Sequence, residues 1–558
     1  MKKKLLALSV LAAALTGCGG GGDVNITPTT IDNSVDNSTN GGSTGGSTNI
    51  CASYTIDGVT RQGTQSGDNC EYGSSFVDFD NPLLTDVTFS DLPGDGAHIF
   101  QGSLFVGANY DSDAELAAAG ISQGGDGPTL TVAAGATMAF QTSSDFMVIN
   151  RGSQIQAVGS ASKPITFTSV SDINGTVGAE DVSQWGGMVI NGFGVTNKCD
   201  YTGSLDNGTI ALASGEECHI PSEGSEGDAA NNYGGDNNND DSGTLKYVVV
   251  KHTGAQVANG DELNGITFGA VGAGTTVDYL QTYSVYDDGI EFFGGAVDVT
   301  HYVALYVNDD SIDIDESYRG TVEYALVIQS ETNGNRCVES DGIGSYKAPP
   351  EDAGVNADFI ARGLNSQATL KNITCIISPV EIADAGGTGT HDPGQGLRIR
   401  EAHFPTISNL VVTTAYQADG KLNDDDYNYC VRIDDEGQQA ALDGDLTFTS
   451  SVIACQDLVD SDLEGQSTLA WLQSNGNATY QSAELGDDPT AASNGDLVIL
   501  DGFYAVPVAD MIVGGANPNI TPEGGAAYIG GVIATDDWTQ GWTYGLHAGN
   551  RAQPLWFE

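Results

Sequence analysis

Positive charge is what this chain has least of. Nineteen lysines and arginines stand against 75 aspartates and glutamates, a formal net charge of −56. That balance excludes a nucleic-acid binder, whose affinity comes from cations neutralising phosphates, and argues against direct docking on anionic lipid. It favours solubility in salty water and the binding of cations. The seven histidines, at 98, 219, 252, 301, 391, 403 and 547, are scattered with no metal-ligand spacing. The nine cysteines contain no CxxC pair, which excludes zinc-ribbon and thioredoxin-like chemistry. No nucleophile elbow, phosphate loop or dinucleotide fingerprint stands in a strand–turn–helix context. No long apolar run recurs after residue 15, so no spanning helix is expected beyond the N-terminus.

That N-terminus is basic at Lys2 to Lys4 and apolar from Leu5 to Leu15, too short to span a bilayer, and reads as a signal peptide. It ends in Leu15-Thr16-Gly17-Cys18, which resembles the lipobox of bacterial lipoproteins. The resemblance implies cleavage before Cys18, lipid on that cysteine and a membrane-held product. Gly19 rather than Asp follows, which in the enteric sorting pattern implies the outer membrane. Without the three signal lysines the balance is 16 − 75 = −59. Residues 19–50 are rich in Gly, Ser, Thr and Asn, lack Lys and Arg, and read as a flexible tether with a mean reach of roughly 30 Å. Setting Cys18 aside leaves eight cysteines, an even number in an exported chain, and so up to four disulfides. Neighbours in sequence give Cys51–Cys70, Cys199–Cys218, Cys337–Cys375 and Cys430–Cys455 as preferred pairs among many.

The folded part repeats. Asp287 to Gly295 read DDGIEFFGG, and 22 residues later Asp309 to Ser317 read DDSIDIDES. Such a period with alternating apolar positions suits one coil of a parallel β-helix. From Leu130 short strands alternate with Gly-marked turns: Leu130–Val132, Met138–Phe140, Phe146–Ile149, Gln154–Val158 and Pro164–Phe167. This stretch resembles the opening coils of bacterial right-handed β-helix surface proteins with a pectin-lyase-like fold, most of unknown function. So do Trp185 to Gly192 and Leu263 to Gly295. The expected organisation is a signal and lipobox over 1–18, the tether over 19–50 and an N-terminal region and cap over 51–128. An all-β right-handed parallel β-helix follows over 129–520, with insertions at 199–242 and 345–392, and a C-terminal aromatic cap closes the stack over 521–558.

Alternate side chains of a strand point to opposite faces. Ile290, Phe292, Ile312 and Ile314 therefore face inward, while Glu291, Phe293, Asp313 and Asp315 face outward as a solvated, salt-bridged stripe. Cys337 to Asp341 continues the alternation after four extra residues, placing Glu339 and Asp341 outward. Arg398, Arg400 and Arg432 take outward positions in later coils. Stacked carboxylates repel unless a cation, a shared proton or an arginine compensates. Carboxylates beside arginines on a β-helix face resemble pectate lyases, which implies calcium held by the acids and an arginine as base or anion clamp. The segment Gly396 to Arg400 is also similar to the arginine segment of polygalacturonases, but their Gly-His-Gly and ordered Asn-x-Asp are absent. The oxygen-bearing spacing of Asp236, Asn238 and Asp240 resembles part of a calcium loop without its Gly and distal Glu. Asn109, Asp111, Asp113 and Glu115 fit the start of a short helix through Leu116 and Ala119 equally well.

The favoured function is a non-enzymatic, membrane-anchored envelope lipoprotein whose acidic face binds a glycan, cations such as calcium, or another surface protein. The alternatives are a lyase or hydrolase of an acidic polysaccharide, using these carboxylates and arginines, and an accessory lipoprotein of an outer-membrane transporter.

Overall fold

The computed structural model describes residues 49–224, 230–258, 261–331, 333–344, 353–378, 394–413, 429–455, 457–481 and 495–558. Cys18, the signal and nearly all of the tether lie outside them. No helix among the described residues is long and apolar enough to cross a membrane.

The 22-residue offset is a true rung. Ile290 to Phe293 pair in parallel with Ile312 to Asp315, residue for residue, so Glu291 lies beside Asp313 and Phe293 beside Asp315. One coil consists of a short strand such as Ile290–Phe293, a turn, a long strand such as Asp298–Val307, and a second turn. Stacking these units builds a narrow sheet of ten short strands from Leu104–Val106 to Asp457–Val459, and a wide sheet holding the long strands. The result is a right-handed parallel β-helix. The turn after Ile290–Phe293 is Gly294-Gly295, both at positive φ, and the next coil forces Glu316 and Ser317 into the same left-handed conformation.

Each long strand bends at one aligned position held at positive φ, Tyr247, Tyr279, His301, Tyr324, Asn372 and Asn409 in successive coils, and two of them bend again near their ends, at Ser284 and Tyr306. Only asparagine enters that region readily, so the tyrosines carry a local cost. Stacking offsets it: ring centroids lie 4.2 Å apart for Tyr247–Tyr279, 4.3 Å for Tyr279–His301 and 5.2 Å for His301–Tyr324. The column ends as an amide ladder, Asn409 Nδ2 donating to Asn372 Oδ1 at 3.0 Å.

Inside, Ile290, Phe292, Ile312 and Ile314 are fully buried, as the alternation requires. Phe268, Phe292 and Tyr318 stack through the interior at 5.3 and 4.2 Å. The four cysteine pairs are the neighbours in sequence. Cys337–Cys375 and Cys430–Cys455 each tie a narrow-sheet strand to a wide-sheet strand across the interior.

Three boundaries differ from expectation. The coils begin before residue 129, because Asn69–Tyr72, Val87–Phe89, Ala97–Phe100 and Leu104–Val106 already pair in the two sheets. The supposed insertion at 345–392 contains Thr369–Ile376, a full rung between Thr321–Ile328 and Thr406–Thr413. Its adjacent Lys371 and Asn372 break the apolar–polar alternation and mask the apolar side of the strand. The aromatic C-terminus does not close the end of the stack. It runs along the wide sheet as an arm, covering Tyr283, Leu305, Leu326 and Val411. Gln281 exchanges two hydrogen bonds of 2.7 Å with the backbone of Tyr544, and Trp556 Nε1 donates to Gln329 O at 2.9 Å. The apolar outer face of the long strands needs cover, and an arm supplies it for many rungs at once. The last coils are closed instead by helix Thr468–Ser474, whose Trp471 and Leu472 join the interior core.

Candidate acidic site on the narrow sheet

Register fixes the outward rows of the narrow sheet. Thr267, Glu291, Asp313, Glu339, Arg398 and Arg432 stack in that order, so the arginine rungs adjoin the acidic ones. At neighbouring positions Asp315 follows Phe293, and Arg400 pairs with Asp341, its Nη2 2.8 Å from Oδ2.

These side chains point outward but are not a solvated stripe. Glu291 is only 7 % exposed and Asp313, Asp315, Glu339 and Asp341 are partly buried. The cover is the Gly/Asn/Asp-rich segment 199–242, expected as a loop in water. Tyr233 OH donates to Glu316 Oε2 at 2.7 Å, Asn191 Nδ2 to Asn231 Oδ1 at 2.7 Å, and Asn264 Nδ2 to Glu223 Oε2 at 3.4 Å. Arg151 holds the segment from beneath, donating to Cys218 O and Gly234 O at 2.9 Å each. Asp236, Asn238 and Asp240 serve the same purpose. Asp236 accepts from Leu212 N at 3.4 Å, Asn238 from Val195 N at 2.7 Å, and Asp240 from Gly124 N and Phe193 N at 2.7 and 3.1 Å. Each satisfies a different stretch of backbone, the ordinary role of Asn and Asp in loops.

A further row was missed from sequence. Asn264 Oδ1 accepts from Asp288 N, Asp288 Oδ1 from Asp310 N and Asp310 Oδ1 from Arg336 N, at 3.2, 2.9 and 2.7 Å. The paired aspartates at the start of each repeat are the signal that pointed to it. Asp288 thereby joins two groups of carboxylates, Asp287–Asp288–Asp309 and Asp288–Glu291–Asp313, each with ligand atoms all within 4.8 Å of one another. Burial, and then neighbouring carboxylates, push Asp287, Asp288, Glu291 and Asp313 well above the usual carboxylate range. None of these four forms an ion pair with a lysine or arginine among the described residues. Beside them Asn335 donates its amide to Asp309 and leaves its own Oδ1 buried without a partner. An all-oxygen donor set at this spacing, with an orphaned amide oxygen, fits a hard cation such as calcium better than zinc.

The other half of the face is compensated internally. Glu339 Oε1 lies 3.1, 3.7 and 3.2 Å from guanidinium nitrogens of Arg336, Arg398 and Arg400, none aligned as a hydrogen bond. Arg398 and Arg432 both hold Asp434, at 3.2 and 2.7 Å, and Arg432 also holds Asp460 at 3.0 Å. Glu401, next to this cluster and at positive φ, is pushed up to about 7 by burial and by Asp341. Asp113, Glu217 and His219 form a separate group. Arg151 lies 2.6 Å from His219 Nδ1, so that atom accepts and Nε2–H faces Asp113 at 3.1 Å, which leaves no imidazole lone pair for a metal. Helix Asp113–Ala119, capped by Ser112, explains the acidic run there.

No curated protein and no solved structure matches the chain significantly. The family described as pectate-lyase like beta helix domain matches residues 108–543, which span all the outward rows above. By fold, register and this match, the chain belongs to the pectate-lyase-like β-helix family.

Proposed function

We propose that this protein is a lipid-anchored envelope protein, held through Cys18 at the outer membrane, that binds an acidic polysaccharide through calcium seated in its carboxylate cluster. The reading rests on the two carboxylate groups that share Asp288 and the buried, partnerless Oδ1 of Asn335 beside them. Asp287, Asp288, Glu291, Asp309 and Asp313 would hold the ion. Calcium would neutralise them and offer open coordination positions to a uronate carboxylate. Binding without cleavage is favoured because Arg398, Arg400 and Arg432 are engaged with Asp434, Glu339, Asp341 and Asp460, so none of these three is free to take a proton.

A polysaccharide lyase or hydrolase is the second reading, favoured by Glu401. A carboxyl held at about 7 beside the Asp341–Arg400 pair suits a general acid. Incubating the intact chain with polygalacturonate and alginate, with and without calcium, separates the two. Calcium-dependent retention on the polymer with no ultraviolet-absorbing unsaturated ends and no new reducing ends supports binding. Product on either polymer that is lost in Glu401→Gln supports the enzyme. No retention in calcium sinks the binding reading.

A further inference from the structure

On the other side of the molecule, the C-terminal arm stops short of covering the wide sheet. It is pinned at Gln281 through the Tyr544 backbone. Along the same outward row, the preceding rungs present Val249, Thr166 and Thr137, one above the next. Over them opens a cavity of about 370 Å³, walled by Trp542 and Tyr544 on the arm and by Asp172 and Lys251 at one side. The Thr137 and Thr166 hydroxyls take no protein partner among the described residues, and they stand one rung, about 4.8 Å, apart.

The charges in this cavity cancel. Lys251 Nζ lies 2.8 Å from Asp172 Oδ2 and 4.0 Å from the centre of the Tyr544 ring, and Thr168 Oγ1 donates to Asp172 Oδ2 at 2.7 Å. His252 donates Nδ1–H to Asp181 O, burial lowers its pKa, and its Nε2 lies 3.6 Å from Asp172 Oδ1. An anion would have to displace Asp172 from Lys251, and a cation would have to displace Lys251 from Asp172. The cavity therefore suits an uncharged ligand with hydroxyls on one side and an apolar face on the other, which is the chemistry of a sugar ring.

We infer that this cavity is a binding site for one or two rings of a neutral oligosaccharide, separate from the acidic face. The intact chain is titrated with cellotetraose, xylotetraose, mannotetraose and laminaritetraose, read by calorimetry and tryptophan fluorescence. At least one is expected to bind saturably, with the same affinity in calcium and in chelator. The double variant Thr137→Val/Thr166→Val is expected to weaken it by roughly threefold to tenfold per hydroxyl, with an unchanged melting temperature. Ile173→Trp, which fills the cavity, is expected to abolish it. The inference is overturned if none of the four binds at millimolar concentration, or if the double valine variant keeps full affinity. It is equally overturned if binding is lost in Asp288→Asn, which would move the sugar to the acidic face.

Discussion

Asp288 accepts the amide of Asp310 at 2.9 Å and also belongs to both carboxylate groups. Those two roles can be separated. Asparagine at 288 keeps an oxygen to accept that amide, as Asn264 already does one rung earlier. What it removes is one of several repelling buried charges. In chelator, Asp288→Asn is therefore expected to melt higher than the parent chain, and Asp288→Ala lower, by about 1–3 kcal/mol for the amide left unpaired. In calcium the parent should overtake Asp288→Asn, because only the parent gains from the ion, while Asp288→Ala stays lowest. Thermal melts of the three proteins in both media check this, and an Asp288→Asn protein that still responds fully to calcium removes Asp288 from the site. At this scale the sequence was partly legible. Period-2 alternation put Glu291, Asp313 and Glu339 in one row with Arg398 and Arg432. It could not reveal that the row is covered, because burial there comes from segment 199–242, far away in sequence and polar in composition.

Among the elements, the bent long strands carry the most strain and so invite the clearest test. Tyr279 is held at φ +57° between the rings of Tyr247 and His301. Tyr279→Ala keeps the unfavourable backbone and loses both stacks, and is expected to cost about 1–3 kcal/mol. Tyr279→Gly loses the same stacks but relieves the backbone, and should recover up to about 1 kcal/mol of that loss. Chemical denaturation of both variants decides. If alanine and glycine are equal, the bend does not strain Tyr279. The disulfides bear on the same coils. Cys337 and Cys375 are fully buried and join the two sheets, so replacing both with alanine is expected to cost about 2–4 kcal/mol. Little change in the denaturation midpoint would mean the coils hold without that tie. The pairings could be read in sequence because each cysteine bonds the next one along the chain, 19 to 38 residues away. The bends could not, since a tyrosine at positive φ leaves no trace in an apolar–polar pattern. Nor could the course of the C-terminal arm, because tryptophans pack alike on the end of a stack and on its flank.

For the whole molecule, the acidic excess becomes a pH dependence with a definite sign. Asp287, Asp288, Glu291, Asp310, Asp313 and Asp315 are all raised, by burial first and neighbouring carboxylates second. Glu401 is raised to about 7. A raised carboxyl holds its proton in the native chain at a pH where the unfolded chain has released it. Stability is then full below the ordinary carboxylate range and is lost as pH rises through the native value. Asp172 and Asp278 act oppositely. Burial raises them, but Lys251 in one case and His301 and Lys246 in the other bring them below the usual value, so their contribution is lost as pH falls. In chelator, stability should therefore peak near the ordinary carboxylate range and decline from about pH 4 to at least about pH 7. Calcium takes the place of the protons without needing acid. At a hundredfold excess over its dissociation constant it should restore about 2.7 kcal/mol at neutral pH and much less in acid, where protons compete for the same oxygens. Melting temperature measured against pH with and without calcium reads both effects. Two parallel curves would mean that calcium does not compete with these protons, and that the buried acids hold each other's charge by hydrogen bonding alone.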